Sequence, residues 1–299
     1  MIKKSEGINI SIHKIYSEDG LELDSILFEP RKKNGKVIVH LHGKEGHFIQ
    51  NHFVTVMGYT YPLHGFSFLT FNNRGHNYIA DMLKKASHGF EWVTRGSAYE
   101  IIEEATYDIN GVIDYLKNLG YTEIILQGHS LGPHKITYYL ANKPKHKITK
   151  VIFITTADIL YQLNSSVPNW KENRGVAKQM LDEKMGDSLM PIRLWSNAPV
   201  SARTFWHYTN PQSNTWVFNF TNPDLEFKNL DKVTLSTLTV VPETDIATGV
   251  PQEKAMKLLK QKIGSKDFTS YIIQNAVHNF ASKEKELVDV LINWLNRYK

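Results

Sequence analysis

The sequence contains no cysteine. Disulfides, a thiol nucleophile and thiolate metal sites are therefore excluded, and the composition is compatible with a reducing compartment, so the expectation is a cytoplasmic protein. The opening stretch Met1-Ile-Lys-Lys-Ser-Glu-Gly-Ile-Asn-Ile lacks the apolar run and small-residue cleavage site of a secretory signal. Nor does any apolar run reach the roughly 20 residues that a membrane-spanning helix needs. The formal net charge of +5 is spread along the chain. Without a compact Lys/Arg cluster interleaved with aromatics, it reads as solvated surface, not as a nucleic-acid footprint. Internal repeats, low-complexity segments and long interdomain linkers are also lacking.

What is present is ordinary globular composition: 299 residues, 41% apolar and 22% charged. That length suits one large α/β domain with an insertion. Residues 8–16 and 21–29 alternate well enough to form an antiparallel strand pair around a turn at Glu18-Asp19-Gly20. Further strands are expected at Lys36 to His42, Ser67 to Asn72, Glu123 to Gln127 and Lys150 to Thr155, separated by plausibly helical stretches that include one at 99–119. Strands alternating with helices imply parallel pairing through right-handed crossovers. After Asp158 the rhythm breaks for about 70 residues, too long for a structureless loop in a compact domain. The expected organisation is thus a core of residues 1–158 and 230–299 with a cap inserted at 159–229. A strand at Thr234 to Val241, a helix at 251–263, a strand at 268–273 and a helix at 283–297 complete the core.

The stretch Ile124-Ile-Leu-Gln-Gly-His-Ser-Leu-Gly132 reads as a buried strand that breaks at a tight turn carrying Ser130 between two glycines. In an α/β-hydrolase, Gly-x-Ser-x-Gly is the nucleophile elbow, which projects the serine hydroxyl from the top of the sheet. The bare pattern is only suggestive, so its context decides. A buried strand precedes it, Pro133 suits the first turn of a helix, and Ile136, Tyr139 and Leu140 recur at helical spacing.

The order of reactive residues then becomes informative, because hydrolases of this fold present Ser, acid and His in that order. Asp245 follows the strand ending Thr239-Val-Val-Pro-Glu-Thr-Asp, and His278 lies in the loop before the last helix. Ser130 would be the nucleophile, His278 the general base and acid, and Asp245 the group that orients the imidazole. Glu243 and Asp158 remain competitors for the acidic role. Developing negative charge on the substrate oxygen needs backbone N–H donors, one from Leu131 and the other from Lys44, just after His42-Gly43. Each assignment has a plainer competitor, such as a structural turn serine at 130 or a surface histidine at 278.

On His42-Gly43, Asn73-Arg-Gly-His76, Gly128-His-Ser-Leu-Gly132, Asp245 and His278, the chain resembles a serine α/β-hydrolase over nearly its whole length. The resemblance implies a mostly parallel sheet with helices on both faces and an inserted cap. Gly96-Ser97 before a helix, Tyr138-Tyr-Leu after the elbow and Ala198-Pro-Val-Ser-Ala-Arg203 are similar to a family that includes fungal esterases cleaving fusarinine-type siderophores. Where that family usually carries a denser acidic run, this chain has Asn210-Pro-Gln-Ser-Asn-Thr.

His40, His42, His47 and His52 invite a metal reading, but no His-Glu-x-x-His motif accompanies them, and His40 and His42 are expected to share one strand face near the oxyanion loop. No metal and no cofactor are expected. The insertion holds four of the six tryptophans, with Arg193 and Arg203 among them. Trp206 and Arg203 are therefore candidate substrate contacts in an aromatic cap suited to a bulky, partly polar acyl group. The expected activity is cleavage of a small-molecule ester through an acyl-enzyme on Ser130. Thioester or amide cleavage and acyl transfer use the same intermediate, and a non-catalytic binding module is the alternative outside the enzyme class. Oligomeric state is not legible in the sequence.

Overall fold

The computed structural model describes residues 7–142, 144–145, 147–195 and 197–298. In chain order its regular elements begin with β1 (Ile8–Tyr16), β2 (Glu22–Pro30), β3 (Lys36–Leu41), α1 (His52–Thr60), β4 (Ser67–Phe71), β5 (Ala80–Ala86) and β6 (Gly89–Arg95). There follow α2 (Ala105–Asn118), β7 (Glu123–His129), α3 (Gly132–Ala141) and β8 (Lys150–Ile154). Next come α4 (Ile159–Ser166), α5 (Trp170–Asp182), β9 (Leu189–Leu194), β10 (Ala198–Ser201) and α6 (Ala202–Thr209). The chain ends with β11 (Ser236–Pro242), α7 (Gln252–Lys262), β12 (Phe268–Ile273) and α8 (Glu284–Leu295). No helix among the described residues is long and apolar enough to cross a membrane.

The main sheet runs β1-β2-β4-β3-β7-β8-β11-β12. The β1–β2 and β2–β4 pairings are antiparallel and all the others parallel, so β2 alone runs against the rest. The central strands are continuous apolar runs because both of their faces are covered. In β7, Ile124 and Leu126 face one side and Ile125 the other; in β8, Val151 and Phe153 oppose Ile152 and Ile154. Helices α2, α3 and α7 bury their apolar stripes on the first face through Ile109, Val112, Ile136, Met256 and Leu259. Helices α1 and α8 cover the second with Phe53, Met57, Leu287, Leu291 and Trp294. This is the α/β-hydrolase architecture. Its consequence for the site is that β3, β7, β11 and β12 deliver their C-terminal loops to one edge of the sheet, where ligands bind in open α/β folds.

The segment after Asp158 is folded, and it packs in two parts. From Ile159 to Trp216 its buried residues, including Leu163, Trp170, Leu194, Phe205 and Tyr208, form a cluster of their own that meets the core at Ile102 and Leu131. From Val217 onward, Phe218, Phe220, Phe227 and Leu230 join the α2/α3/α7 side of the main core instead.

Two features differ from the sequence reading. Residues 80–95 form an antiparallel hairpin, β5 against β6, which the sequence did not signal. One face rests on the main core through Met82, with Ala80 and Val93 beside it, while Phe90 and Trp92 are open to solvent, so only a weak apolar alternation marks the strands. His40 and His42 also part company, because the strand ends at Leu41. The His40 ring lies between Phe53 and Phe68 with Nδ1 2.9 Å from Gln127 Nε2, whereas His42 turns toward Gly43 and Asn73.

Candidate active site

Ser130 occupies the step from β7 to α3 with φ of +59°, a left-handed backbone that a non-glycine residue adopts only where its surroundings hold it. Its N–H is held by the Ile154 carbonyl at 3.0 Å and the Thr155 hydroxyl at 3.1 Å, both at the end of β8. The flanking glycines are required by close approach. A Cβ on Gly128 would lie 2.6 Å from the Gly132 carbonyl carbon, and one on Gly132 would lie 2.5 Å from the Leu41 carbonyl oxygen.

The loops after β11 and β12 bring Asp245 and His278 to this turn. His278 Nε2 lies 3.1 Å from Ser130 Oγ, and His278 Nδ1 lies 2.9 Å from Asp245 Oδ1. The Asp245 side chain is fully buried, and its Oδ1 also accepts from the Ala247 N–H at 2.8 Å. Since a carboxylate only accepts, Nδ1–H donates to Asp245, leaving the Nε2 lone pair for the serine hydroxyl. His129 stands behind, its ring 5.1 Å from that of His278 and its Nε2 3.0 Å from the His278 carbonyl. Burial, with the His278 ring next, holds the His129 pKa well below its usual value, so it serves as a neutral donor to that carbonyl.

The two competing acids are engaged elsewhere. Glu243 is exposed and accepts the Asn275 N–H at 2.8 Å. Asp158 is buried: Oδ1 caps α4 at the Tyr161 N–H, 2.9 Å away, and Oδ2 accepts the Thr221 N–H and hydroxyl, each at 2.8 Å. Burial raises its carboxyl pKa against the opposing pull of those donors.

A cavity of about 340 Å³ opens over Ser130. Gly43, Lys44 and Leu131 line it, and among the described residues neither the Lys44 nor the Leu131 backbone N–H meets a hydrogen-bond acceptor. Gly43 lies so close that a Cβ there would sit 2.8 Å from Ser130 Cβ. The remaining walls mix polar side chains, Glu45, Gln50, Asn51, Gln162 and Asn279, with the apolar Ala157, Ile159 and Ile246 and the aromatic Trp195 and Tyr208. Sequence reasoning offered the aromatics of the insertion, Trp195 and Tyr208 among them, as a pocket, but singled out Trp206, because composition alone does not say which of them face Ser130.

Arg203 and Trp206, expected at the substrate, are not in this cavity. Arg203 pairs with Asp187 at 3.0 Å and borders a separate cavity with Arg95, Tyr99 and Glu104. Trp206 packs against the cluster of the inserted segment. On α6, one turn carries Phe205 and Tyr208 inward and leaves Arg203 at the surface, and helical phase decides which residues reach the site. The Asn73-Arg-Gly-His76 turn is likewise built for shape: Arg74 is buried in ion pairs to Asp108 at 2.8 Å, Asp19 at 2.7 Å and Glu104 at 3.1 Å. Among the described residues no group of three His, Asp or Glu side chains is placed to hold a metal ion.

A family model described as "Protein of unknown function (DUF1749)" matches residues 79–298. A curated relative, UPF0613 protein PB24D3.06c of Schizosaccharomyces pombe, is 25% identical over 219 residues, which are 63% of this chain and 68% of the relative. Among solved structures, Est1E from Butyrivibrio proteoclasticus, determined with ferulic acid bound, superposes with a TM-score of 0.63 at 17% identity, covering 95% of this chain and 98% of that one. The α/β hydrolase GrgF from Penicillium sp. sh18 gives 0.68 at 13% identity, covering 97% and 98%. The monoacylglycerol lipase of Paleococcus ferrophilus gives 0.57 at 18% identity, covering 97% and 100%. At these identities the likeness establishes the α/β-hydrolase fold.

Proposed function

We propose, for a chain that belongs to the family described as Protein of unknown function (DUF1749), hydrolysis of a carboxylic ester through an acyl-enzyme on Ser130. The observation that carries this reading is the line from Asp245 Oδ1 through both nitrogens of His278 to Ser130 Oγ, at 2.9 and 3.1 Å. A shared fold does not by itself fix an activity. The esterases and the lipase among the structural neighbours are nevertheless consistent with an ester as substrate.

On this reading Ser130 Oγ attacks the ester carbonyl carbon while its proton passes to His278 Nε2. The carbonyl π electrons move onto oxygen, where the Lys44 and Leu131 N–H groups meet the new charge. The tetrahedral intermediate expels the alkoxide, which takes the proton from His278. Water then attacks the acyl-serine, again giving a proton to Nε2, and collapse returns that proton to Ser130 as the acid departs. Asp245 keeps the imidazole in the required tautomer and stabilises the imidazolium. The alcohol and acyl groups occupy this cavity under a cap that we delimit as residues 159–216, shorter than 159–229, because the chain from Val217 packs with the core.

The test is labelling by a fluorophosphonate probe together with turnover of p-nitrophenyl esters. Both should be lost in Ser130→Ala, by at least about 10³-fold in rate, while the fold is retained. Ester hydrolysis near the wild-type rate in that variant would refute the mechanism.

A further inference from the structure

The peptide linking Gly43 to Lys44 is held from behind by groups that the triad does not use. His42 Nδ1 lies 2.8 Å from the Gly43 carbonyl oxygen, and His42 Nε2 lies 3.1 Å from the backbone nitrogen of Asn73. A backbone N–H only donates, so Nε2 is the bare nitrogen, and Nδ1 carries the proton and donates to Gly43. Burial, with the neighbouring Lys135 ammonium next, holds this imidazole well below its usual pKa and keeps it neutral. In a planar trans peptide the C=O and N–H point in opposite directions. Pinning the Gly43 carbonyl therefore sets the direction of the Lys44 N–H.

Asn73 is fixed in turn. Its Oδ1 accepts from the Gly75 N–H and from the Lys135 ammonium, each at 3.1 Å, and its Nδ2 donates to the His42 carbonyl at 3.4 Å. Lys135 is fully buried on α3 and meets the buried Glu100 carboxylate at 2.5 Å. Helix α3 starts just after Leu131, the second expected donor. The two donors on either side of Ser130 are thus joined beneath the substrate by side-chain contacts.

We infer that His42, Asn73 and the Lys135–Glu100 pair are positioning residues: a buried brace that aims the Lys44 N–H and fixes its separation from the Leu131 N–H. The inference rests on the reading of Ser130 as nucleophile. A donor that is misaimed still admits substrate but no longer meets the oxyanion, so loss of the brace lowers kcat and spares KM.

The experiment compares His42→Leu, His42→Asn and the paired neutral variant Lys135→Met/Glu100→Gln, using p-nitrophenyl butyrate as substrate and phenylboronic acid as a tetrahedral-adduct inhibitor. His42→Leu should lower kcat by about 10²-fold with KM within about two-fold, and weaken boronate inhibition in parallel. His42→Asn places an amide N–H near the position of Nδ1 and should recover at least about ten-fold of that loss. A role in packing alone predicts the opposite order, since Leu suits a buried site better than Asn. The paired variant leaves no lone buried charge and should lower kcat by about ten-fold; it also supplies the answer if His42→Leu does not fold. Unchanged kcat in folded His42→Leu or in the paired variant, or losses confined to KM, would overturn the brace alone. A wild-type protein that neither turns over esters nor labels at Ser130 would overturn the hydrolase reading, and the brace with it.

Discussion

Asp158 Oδ2 accepts both the backbone N–H and the hydroxyl of Thr221, each at 2.8 Å, which ties the start of the inserted segment to the chain that leaves it. Its Oδ1 caps α4 at the same time. A carboxylate so occupied is a structural pin, although the Asp158 backbone N–H reaches the Ala247 carbonyl at 2.8 Å, two residues from the partner of His278. Asp158→Ala should therefore cost stability, on the order of 2–4 kcal/mol, through a lost helix cap and buried donors left without acceptors. Asp245→Asn should do the reverse, leaving the melting temperature near that of the wild type while kcat falls by about 10³- to 10⁴-fold. Glu243→Gln should change neither greatly. Denaturation curves and ester kinetics on the three variants decide the matter, and a catalytic collapse in folded Asp158→Ala would mean that the acid is misassigned.

The cavity over Ser130 makes a prediction opposite to the one drawn from composition. Trp195 and Tyr208 form its aromatic wall, with ring centroids 6.0 Å apart, while Arg203 borders another cavity. Trp195→Ala should raise KM for p-nitrophenyl esters more than it lowers kcat, because a wall that contacts ground and transition states alike contributes uniform binding. Arg203→Ala and Trp206→Ala should leave kcat/KM within about two-fold. A ten-fold loss in either would return those residues to the substrate's path.

The elbow predicts a steric cost at a named atom. In Gly132→Ala the new methyl meets the Leu41 carbonyl oxygen at 2.5 Å, and backbone cannot swing aside as a flexible side chain would. We expect a loss of about 1–3 kcal/mol in stability. Activity should also drop, since β3 and the Gly43 loop are pushed from Ser130. Wild-type stability in this variant would show that α3 sits farther from β3 than described.

Legibility followed burial. The central strands could be read because both faces are covered, so Ile124 to Leu126 and Val151 to Ile154 leave unbroken apolar runs. That Ser130, Asp245 and His278 come together could be read because chain order and loop position restrict which residues meet at one sheet edge. The β5–β6 hairpin could not, because only Met82 is buried while Phe90 and Trp92 face solvent, so its alternation carries little apolar bias. The contacts of the segment after Asp158 were hidden for a different reason: its aromatics serve both as its own core and as cavity wall. Only the helical phase of α6 separates Tyr208 from Trp206. The brace was likewise invisible, since nothing in a sequence announces that Lys135 and Glu100 are buried together.

The final prediction concerns acid stability. His40, His42, His129 and His134 are all buried, and burial lowers each pKa, to about 3 for His40 and His134 and well below the usual value for the other two. In the unfolded chain the same imidazoles titrate near 6.5. As pH falls below that value the unfolded state takes up protons that the native state refuses, so stability is full above about pH 6.5 and is lost progressively below it. Each refused proton steepens the decline by about 1.4 kcal/mol per pH unit, and four together by about 5. A native state worth roughly 5–15 kcal/mol is then spent within one to three pH units below 6.5. That places acid unfolding largely above the range in which ordinary carboxylates protonate. Asp158 opposes the trend, because its raised carboxyl pKa favours the folded state as pH falls, but His76, Asp19 and Asp267, whose pKa values are also lowered, side with the four histidines. Urea denaturation at a series of pH values should show the steep decline directly. His134→Gln should remove about a quarter of the slope, whatever it does to stability at pH 7. A fold still intact at pH 3.5, or a slope of one proton or fewer between pH 6 and 5, would mean that these imidazoles find protons and counter-charges in place.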